Sequence, residues 1–145
     1  MNRKIISIFL IFCMLFTLLP AGVFAAEETP TSGDCSRLDD GSSVTWRYDS
    51  DTKTLTIRGS GKMKTFEKES AVPWYGYMEE IETAVIEDGV TNVGARAFES
   101  ATALSAVSLG NTVTAIEDEA FHQCTSLKEI TLPDSLTSIG SAFQS

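Results

Sequence analysis

Residues 127–140 read Leu-Lys-Glu-Ile-Thr-Leu-Pro-Asp-Ser-Leu-Thr-Ser-Ile-Gly, and the same spacing of apolar residues occurs 23 residues earlier, in residues 104–117. The matched positions are Leu104 with Leu127, Val107 with Ile130, and Leu109 with Leu132. A Val-Thr-x-Val type motif also recurs, at residues 90–93, 113–116 and 136–139. An Ala-Phe pair follows each motif, at residues 97–98, 120–121 and 142–143. The second half of the chain is therefore a tandem repeat.

A fixed period in this range, with this apolar spacing, is typical of a leucine-rich-repeat solenoid, in which each repeat forms one coil stacked on the one before. We predict a mainly β solenoid of short strands and brief helical turns over residues 73–145, with an incomplete last repeat. Counting back 23 residues makes residues 73–89 a degenerate first coil, in which Tyr75 takes the position of Phe98. Phe98 and Phe121 should then superpose inside the core.

The segment before the repeats has a different pattern. Residues 44–48 and 55–58 alternate apolar and polar side chains, and residues 49–53 between them are turn formers. This pattern predicts a β-hairpin, which we expect to cap the solenoid from residue 44 to residue 72. Residues 26–43 contain almost no apolar side chains, so we expect a flexible leader there.

The amino terminus has the features of a secretory signal peptide over residues 1–25. Arg3 and Lys4 precede a long apolar run, and Val23-Phe24-Ala25 supplies small residues before a cleavage site. The apolar run is shorter than the ~20 residues of a spanning helix. We therefore predict an exported protein with no stable membrane span after cleavage.

Charge excludes one class of partner. Without the signal peptide, the chain carries 9 basic and 20 acidic residues, a net charge of −11. Nucleic-acid binding needs a basic surface, so we predict no nucleic-acid partner. The charge is uneven, because residues 47–68 hold six basic side chains against three acidic ones. We interpret the charges mainly as a solvated surface.

The sequence resembles the BspA-like leucine-rich-repeat proteins of bacteria. The resemblance is most specific in residues 127–140, in the Ala-Phe pairs and in Cys124, three residues after Phe121. Thr45-Trp46-x-Tyr48 and Pro73-Trp74-Tyr75 also resemble segments that precede such repeats. The resemblance implies a secreted or cell-surface protein whose repeats mediate adhesion or other protein binding, without catalytic machinery.

Binding in such a repeat would use the polar positions that lie along the strands. We predict a binding surface for an extracellular protein or glycan, composed of Ser105, Ser108, Lys128, Glu129 and Thr131, with Tyr77 as an exposed aromatic contact. The alternative is a structural spacer, or a truncated fragment of a larger repeat protein, without a ligand of its own.

Three other aromatic residues allow two interpretations. Trp46, Trp74 and Tyr75 could form a binding patch, since aromatic residues beside Arg and Lys are common interface anchors. The interpretation that we favour places all three in the cap of the core.

The last coil departs from the pattern. It is one residue shorter than its predecessor between Ile139 and Phe143, and the sequence ends at Ser145 without a polar cap. We predict that the apolar end around Ile139 and Phe143 is poorly covered. This favours either a truncated chain or self-association through that end.

Catalytic and metal-binding patterns were weighed against simpler structural interpretations. We expect the single histidine, His122, to be an exposed loop residue, and Cys124 to be a small buried thiol. Cys35 falls in the predicted leader, where a disulfide to Cys124 is the less favoured alternative.

Two acidic motifs resemble calcium ligands only in part. Asp49-x-Asp51 fits a hairpin turn better than a calcium loop, since Lys53 fills the third ligand position. Residues 117–119, Glu-Asp-Glu, are interpreted as a solvated run, with weak calcium attraction as the alternative. We predict no catalytic residue, cofactor or metal, and reject an exported hydrolase because no nucleophile and base stand at suitable positions.

Overall fold

The computed structural model describes residues 29–144. The predicted signal peptide, residues 1–25, lies outside the described residues. Within them the structure is built from short β-strands, with two 3₁₀ turns at Glu69–Ala71 and Tyr75–Tyr77. The strands are β1 Ser32–Asp34, β2 Ser43–Asp49, β3 Thr54–Ser60, β4 Thr83–Ile86, β5 Asn92–Val93, β6 Ala106–Leu109, β7 Ala115–Ile116 and β8 Ser138–Ile139.

These strands form two sheets. The larger sheet has the order β1-β2-β3-β4-β6, and the smaller has the order β5-β7-β8. β2 and β3 form an antiparallel hairpin, whereas every later pairing is parallel. Parallel pairing of successive, equal-length repeats is what stacking coil on coil produces.

The 23-residue period in the sequence is also the spatial repeat. Thr83 of β4 pairs with Ala106 of β6, and Ala115 of β7 pairs with Ser138 of β8. Both pairs are 23 residues apart, so equivalent side chains lie directly above one another. The prediction that Phe98 and Phe121 superpose in the core is confirmed, because their rings stack and both side chains are buried.

The first coil corrects one detail of the predicted register. Trp74, not Tyr75, takes the place of the core phenylalanine: its ring centroid lies 6.1 Å from that of Phe98. The indole Nε1 of Trp74 also donates to the carbonyl of Ala97, at 2.9 Å. Tyr75 begins a 3₁₀ turn and is 47% exposed, so the prediction that it belongs to the core cap is wrong.

Trp46 is buried beside Trp74. The two indoles meet edge to face with centroids 5.8 Å apart, and Phe66 contacts Trp74 in the same manner at 5.7 Å. One aromatic column therefore runs from the hairpin into the repeats. Edge-to-face and stacked pairs of this kind stabilise a core by about 0.5–1.5 kcal/mol each beyond the burial of their area.

The prediction of a flexible leader over residues 26–43 is wrong for its central part. Ser32–Asp34 forms the edge strand β1, which pairs antiparallel with β2. Cys35 follows it into the core, 3% exposed, and its N–H donates to the carbonyl of Val44 at 2.9 Å. Backbone pairing with β2 orders this segment, and a polar composition does not reveal such pairing.

Threonine hydroxyls tie the coils together along one bend. The Oγ1 of Thr91 donates to the carbonyl of Gly61, that of Thr114 to the carbonyl of Thr91, and that of Thr137 to the carbonyl of Thr114. The distances are 3.2, 3.0 and 3.1 Å. The Thr of each Val-Thr-x-Val motif is therefore a link between coils.

A buried polar group joins three further segments. The side chain of Asn92, 3% exposed, accepts from the N–H of Met63 at 2.7 Å and donates to Glu117 Oε1 at 2.7 Å. Glu117 Oε2 accepts from the hydroxyl of Thr65 and from the N–H of Ala95. Satisfied buried groups of this kind hold the packing of neighbouring coils in one arrangement.

Candidate binding surface

The outer face of the larger sheet is the surface on which the predicted binding residues fall. Side chains alternate along each strand, so β4 buries Ala84 and Ile86 while Thr83 and Val85 face outward. On β6 the outward positions are Ala106 and Ser108, which are exposed. Because the sheet is in register, the outward side chains form rows across the strands.

Ser108 lies in the row that also contains Thr56 and Val85. Ser105 comes just before β6, where its backbone N–H and its hydroxyl both donate to the carbonyl of Glu82. Ser105 is exposed, but its hydroxyl holds two coils together. Of these two residues, Ser108 is the one on the open sheet face.

Lys128, Glu129 and Thr131 are all exposed, but the segment that carries them is not a strand. Among the described residues, no backbone hydrogen bond joins residues 128–132 to β6. In the earlier coils, a backbone hydrogen bond joins this part of each coil to the preceding strand: Glu87 N donates to Ile57 O, and Gly110 N donates to Ile86 O. The equivalent residue here is a proline, which has no N–H to donate.

A groove of about 410 Å³ separates β6 from this last segment. Ser108 and Thr131 line it, together with Val107 and Leu132. Leu132 is 42% exposed, and Ile139 and Phe143 are 48% and 43% exposed. The last coil thus presents apolar side chains to solvent at Ile139 and Phe143, as the sequence predicts.

Tyr77 is not the freely exposed aromatic that the sequence suggests. Its ring stacks on that of Tyr48, with centroids 4.3 Å apart and planes 26° apart, and the side chain is half-buried. The Tyr77 hydroxyl lies 2.6 Å from Thr29 Oγ1 and donates to the Thr29 carbonyl at 2.7 Å. The contact with Tyr48 arises between segments almost thirty residues apart, which local sequence does not reveal.

Sequence reasoning missed two arginines on the same face. Arg47 on β2 and Arg58 on β3 are exposed and line a groove of about 290 Å³ at the first strands of the sheet. Their outward positions follow from the alternation with Trp46 and Ile57. The excess of basic residues in 47–68 could have indicated this groove, but the binding surface predicted from the sequence includes no residue of the hairpin.

The acidic run at residues 117–119 is engaged in contacts, contrary to its interpretation as a solvated run. Glu117 bonds Asn92, Thr65 and Ala95, as described above. Asp118 Oδ1 accepts from the N–H of Ser141 at 2.8 Å, and Glu119 forms an ion pair with Arg96. The three carboxylates bond different partners, because successive residues in a tight bend point in different directions.

The charged residues of the β2–β3 turn, Asp49 and Lys53, also have structural roles. Asp49 Oδ1 accepts from the N–H groups of Thr52 and Asp51, which lower the pKa of its carboxyl and make this a hairpin turn. Lys53, in the same turn, has a φ of 53°, the left-handed region that favours glycine. Among residues 29–144, no group of three or more potential ligand side chains is arranged to hold a metal ion.

His122 is half-buried, not exposed as the sequence suggests. Its Nδ1 lies 3.3 Å from Glu99 Oε1. Within the described part of the chain, no serine hydroxyl is within hydrogen-bond distance of its ring. The cysteines Cys35 and Cys124 are both buried free thiols. Burial raises the pKa of each to about 12, and Cys124 Sγ also lies 3.0 Å from the carbonyl of Phe98.

Stacked parallel coils with a 23-residue spatial period define the class of the protein as a repeat protein. The profile of the BspA type leucine rich repeat region matches residues 74–145, in six copies. The chain therefore belongs, through this region, to the BspA-type leucine-rich-repeat family. Membership of this family supports the interpretation of the chain as a protein-binding repeat protein.

One solved structure supports the fold. A leucine-rich repeat protein from Eubacterium ventriosum superposes with a TM-score of 0.65 at 27% identity, covering 77% of this chain and 28% of that one. The chain thus spans less than a third of that protein. A leucine-rich repeat protein from T. pallidum gives a TM-score of 0.44 at 24% identity, covering 66% of this chain and 50% of that one.

A comparison with curated proteins gives no match. In residues 29–144, none of the helical segments has the length and apolar character needed to cross a bilayer.

Proposed function

We propose that this protein is an exported, non-catalytic adhesive module of the bacterial surface that binds an extracellular protein partner through the outer face of its larger sheet. The observation that carries the proposal is the register of this face. Thr56, Val85 and Ser108 repeat at equal intervals on rigid strands, and their side chains are free of the core packing. A binding surface on strands positions its contacts better than one on loops.

Export is supported by the amino-terminal sequence, in which a short basic segment precedes an apolar run and a small-residue cleavage site. Family membership adds to this, because the resemblance implies secreted or surface proteins. The proposed site of action is therefore outside the cell.

We also propose that the coils wind as a solenoid and that the β2–β3 hairpin caps its first end. The support is the parallel pairing of β3 with β4 and the contact of Trp46 with Trp74. If the hairpin caps the core, Trp46→Ala should lower the melting temperature of the whole repeat region. Tyr75→Ala is the matched control, since this aromatic is exposed. Equal effects of the two substitutions would contradict a capping role.

Binding can be tested with a panel of purified extracellular-matrix proteins on a biosensor, using the mature protein in solution. Ser108→Arg places a large charged side chain on the sheet face and should reduce binding at least tenfold. Ser138→Arg makes the same change on the exposed position of β8, in the other sheet, and should leave binding unchanged. Equal effects of the two variants would contradict binding by this face.

The spacer function is the alternative, and it gives a different result. A spacer shows no saturable binding to any protein of the panel at micromolar concentrations, for the parent protein as for both variants.

A further inference from the structure

The groove at the first strands of the sheet has a composition unlike the rest of the outer face. Its lining residues are Ser32, Gly33, Thr45, Trp46, Arg47 and Arg58, and its volume is about 290 Å³. It lies at the end of the sheet formed by β1, β2 and β3. This groove is called the arginine groove below.

The two arginines stand close together on one face. Arg47 is opposite Thr56 and Thr45 is opposite Arg58, so the arginines are diagonal neighbours on adjacent strands. Such diagonal neighbours are within about 7–8 Å of each other, well inside the reach of long side chains. Two like charges at this distance repel, and a bound anion would remove that repulsion.

Neither guanidinium forms a salt bridge within the described part of the chain. The salt bridges there involve Lys53, Arg96 and His122, and neither Arg47 nor Arg58 takes part in one. The carboxylates nearest in the register, Asp34 and Asp49, form no salt bridge with either arginine. The pKa of Asp49 is lowered mainly by the backbone N–H groups of Thr52 and Asp51, and the charge of Arg47 is a smaller cause. Asp34 Oδ1 accepts from the hydroxyl of Ser36 at 2.5 Å, and Asp49 Oδ1 accepts two backbone N–H groups of its turn.

The remaining polar groups of the arginine groove are also able to donate. Ser32 and Thr45 contribute hydroxyls that are exposed. The indole Nε1 of Trp46 also has no hydrogen-bond partner in residues 29–144, but it is buried on the core side of β2 and is not a donor on this face. It lies against Gly33, where an added Cβ would come within 2.9 Å of it. The groove is thus rich in donors and its side chains include no carboxylate.

We propose that the arginine groove binds a carboxylated polysaccharide, such as a chain of uronic-acid residues. This inference goes beyond the proposed function, because it adds a glycan ligand at the hairpin end of the sheet, and it rests on the outer sheet face being a binding surface. Carboxylate groups match the planar guanidinium fork, and each can accept two hydrogen bonds from one arginine. Sugar hydroxyls match the hydroxyls of Ser32 and Thr45.

A sugar chain fits the arginine groove better than a peptide does. Protein partners are generally anchored by large apolar or aromatic side chains in pockets. The neighbours of the arginines are instead hydroxyl side chains, Thr45 on β2 and the partly exposed Thr54 and Thr56 on β3. Two carboxylates, Asp34 and Asp49, lie at the margins of the same face. The hydroxyl side chains present a flat polar surface that can exchange hydrogen bonds with successive sugar residues.

The charge distribution of the chain also favours an anion at this end. Residues 47–68 carry six basic side chains against three acidic ones, residues 29–46 add three acidic side chains and Arg37, and eleven of the twenty acidic residues follow residue 78. Since coils stack in sequence order, the basic residues concentrate at one end of the sheet. An anionic chain is therefore attracted to the hairpin end despite the negative net charge.

Fluorescence anisotropy with labelled oligogalacturonate tests the proposal on the mature protein. We expect saturable binding that weakens as NaCl is raised, because exposed ion pairs are screened by salt. The fully methyl-esterified oligosaccharide has the same backbone without charge, and it should bind at least tenfold more weakly. Equal binding of both forms would overturn the role of the carboxylates.

Variants locate the binding. The double variant Arg47→Gln/Arg58→Gln should weaken oligogalacturonate binding at least tenfold. The control Arg37→Gln/Lys68→Gln removes the same charge from exposed residues outside the groove and should change binding less than threefold. Circular dichroism and melting temperature verify that both variants fold. Equal losses would show non-specific attraction and overturn the assignment.

Two further polyanions separate a glycan site from its rivals. If polyglutamate binds as tightly as oligogalacturonate, the ligand class is an acidic peptide and not a glycan. If dextran sulfate binds as tightly, the groove is a general polyanion site. Either result overturns the proposal. If oligogalacturonate fails while a matrix protein still binds in a manner blocked by Ser108→Arg, only this inference falls and the proposed function stands.

Discussion

The ring centroid of Phe98 lies 5.4 Å from that of Phe121, and the two planes are within 4° of parallel. Phe121 has the same relation to Phe143, at 5.4 Å and 10°. The separation is close to the spacing of adjacent strands in a sheet, about 4.8 Å, as expected when equal coils stack. The aromatic column therefore follows the register of the backbone.

Removal of the central ring should destabilise the fold strongly. We expect Phe121→Ala to reduce the free energy of unfolding by about 3–5 kcal/mol, because Phe121 is 2% exposed and touches rings on both sides. Urea unfolding followed by circular dichroism measures the change. Phe143→Ala is the control and should cost much less, since that ring is 43% exposed. Similar losses for both substitutions would contradict the inference that Phe121 contributes more because it is buried between two rings.

The buried amide of Asn92 provides a second test. Asn92→Ala removes the partner of the N–H and carbonyl of Met63 and of Oε1 of Glu117, whose Oε2 keeps its bonds to Thr65 and Ala95. Each unsatisfied buried group costs about 1–3 kcal/mol, so we expect a loss of at least about 2 kcal/mol in the free energy of unfolding. Asn111→Ala, at an exposed turn, should change the free energy of unfolding by less than about 0.5 kcal/mol. Chemical denaturation compares the two, and a neutral Asn92→Ala would show that water replaces the amide.

The two thiols should be almost unreactive in the folded protein. Burial raises the pKa of Cys35 and of Cys124 to about 12, so both are protonated at pH 8. Since only the thiolate attacks, alkylation by iodoacetamide should be slow in buffer and fast in urea. Mass spectrometry of peptides containing each cysteine reports the rates separately. Rapid native labelling of Cys35 alone would show that β1 separates readily from β2.

The acid side of the stability curve should depend on Glu80. Lys53 Nζ donates to Glu80 Oε2 at 2.9 Å, and the Tyr48 hydroxyl donates to the same oxygen at 3.3 Å. Both bonds lower the pKa of Glu80, and Lys53 is the larger cause. A carboxyl with a lowered folded-state pKa stabilises the fold above its ordinary pKa of 4.5. This contribution disappears as the pH falls through the folded-state value.

Melting temperatures between pH 7 and pH 3 test this dependence. Glu80→Gln should melt below the parent protein at pH 7, and the difference should shrink as the pH falls below 4.5. The control Glu79→Gln changes the adjacent exposed carboxyl and should leave the acid dependence of the parent protein in place. A constant difference between Glu80→Gln and the parent across this range would contradict the ionic contribution.

The repeats could be predicted because burial recurs at a fixed spacing. Leu104, Val113 and Phe121 each belong to a periodic set, and any fold that buries all members of such a set must stack them. The exposure of Ile139 and Phe143 agrees with the prediction that the apolar end of the last coil is poorly covered. The candidate site could be predicted only in part: Ser108 lies on the sheet face, whereas Tyr77 stacks on Tyr48.

The sequence by itself determined the coil length, the parallel stacking and the inward positions of each repeat, since these depend on hydrophobic spacing along the chain. Only the tertiary structure decided that Trp74 replaces Tyr75 above Phe98, that Ser32–Asp34 pairs as an edge strand, and that Arg47 and Arg58 share a groove. Each of these depends on which segment lies next to which. Such contacts carry no period, because they join parts of the chain that meet only after the coils have stacked.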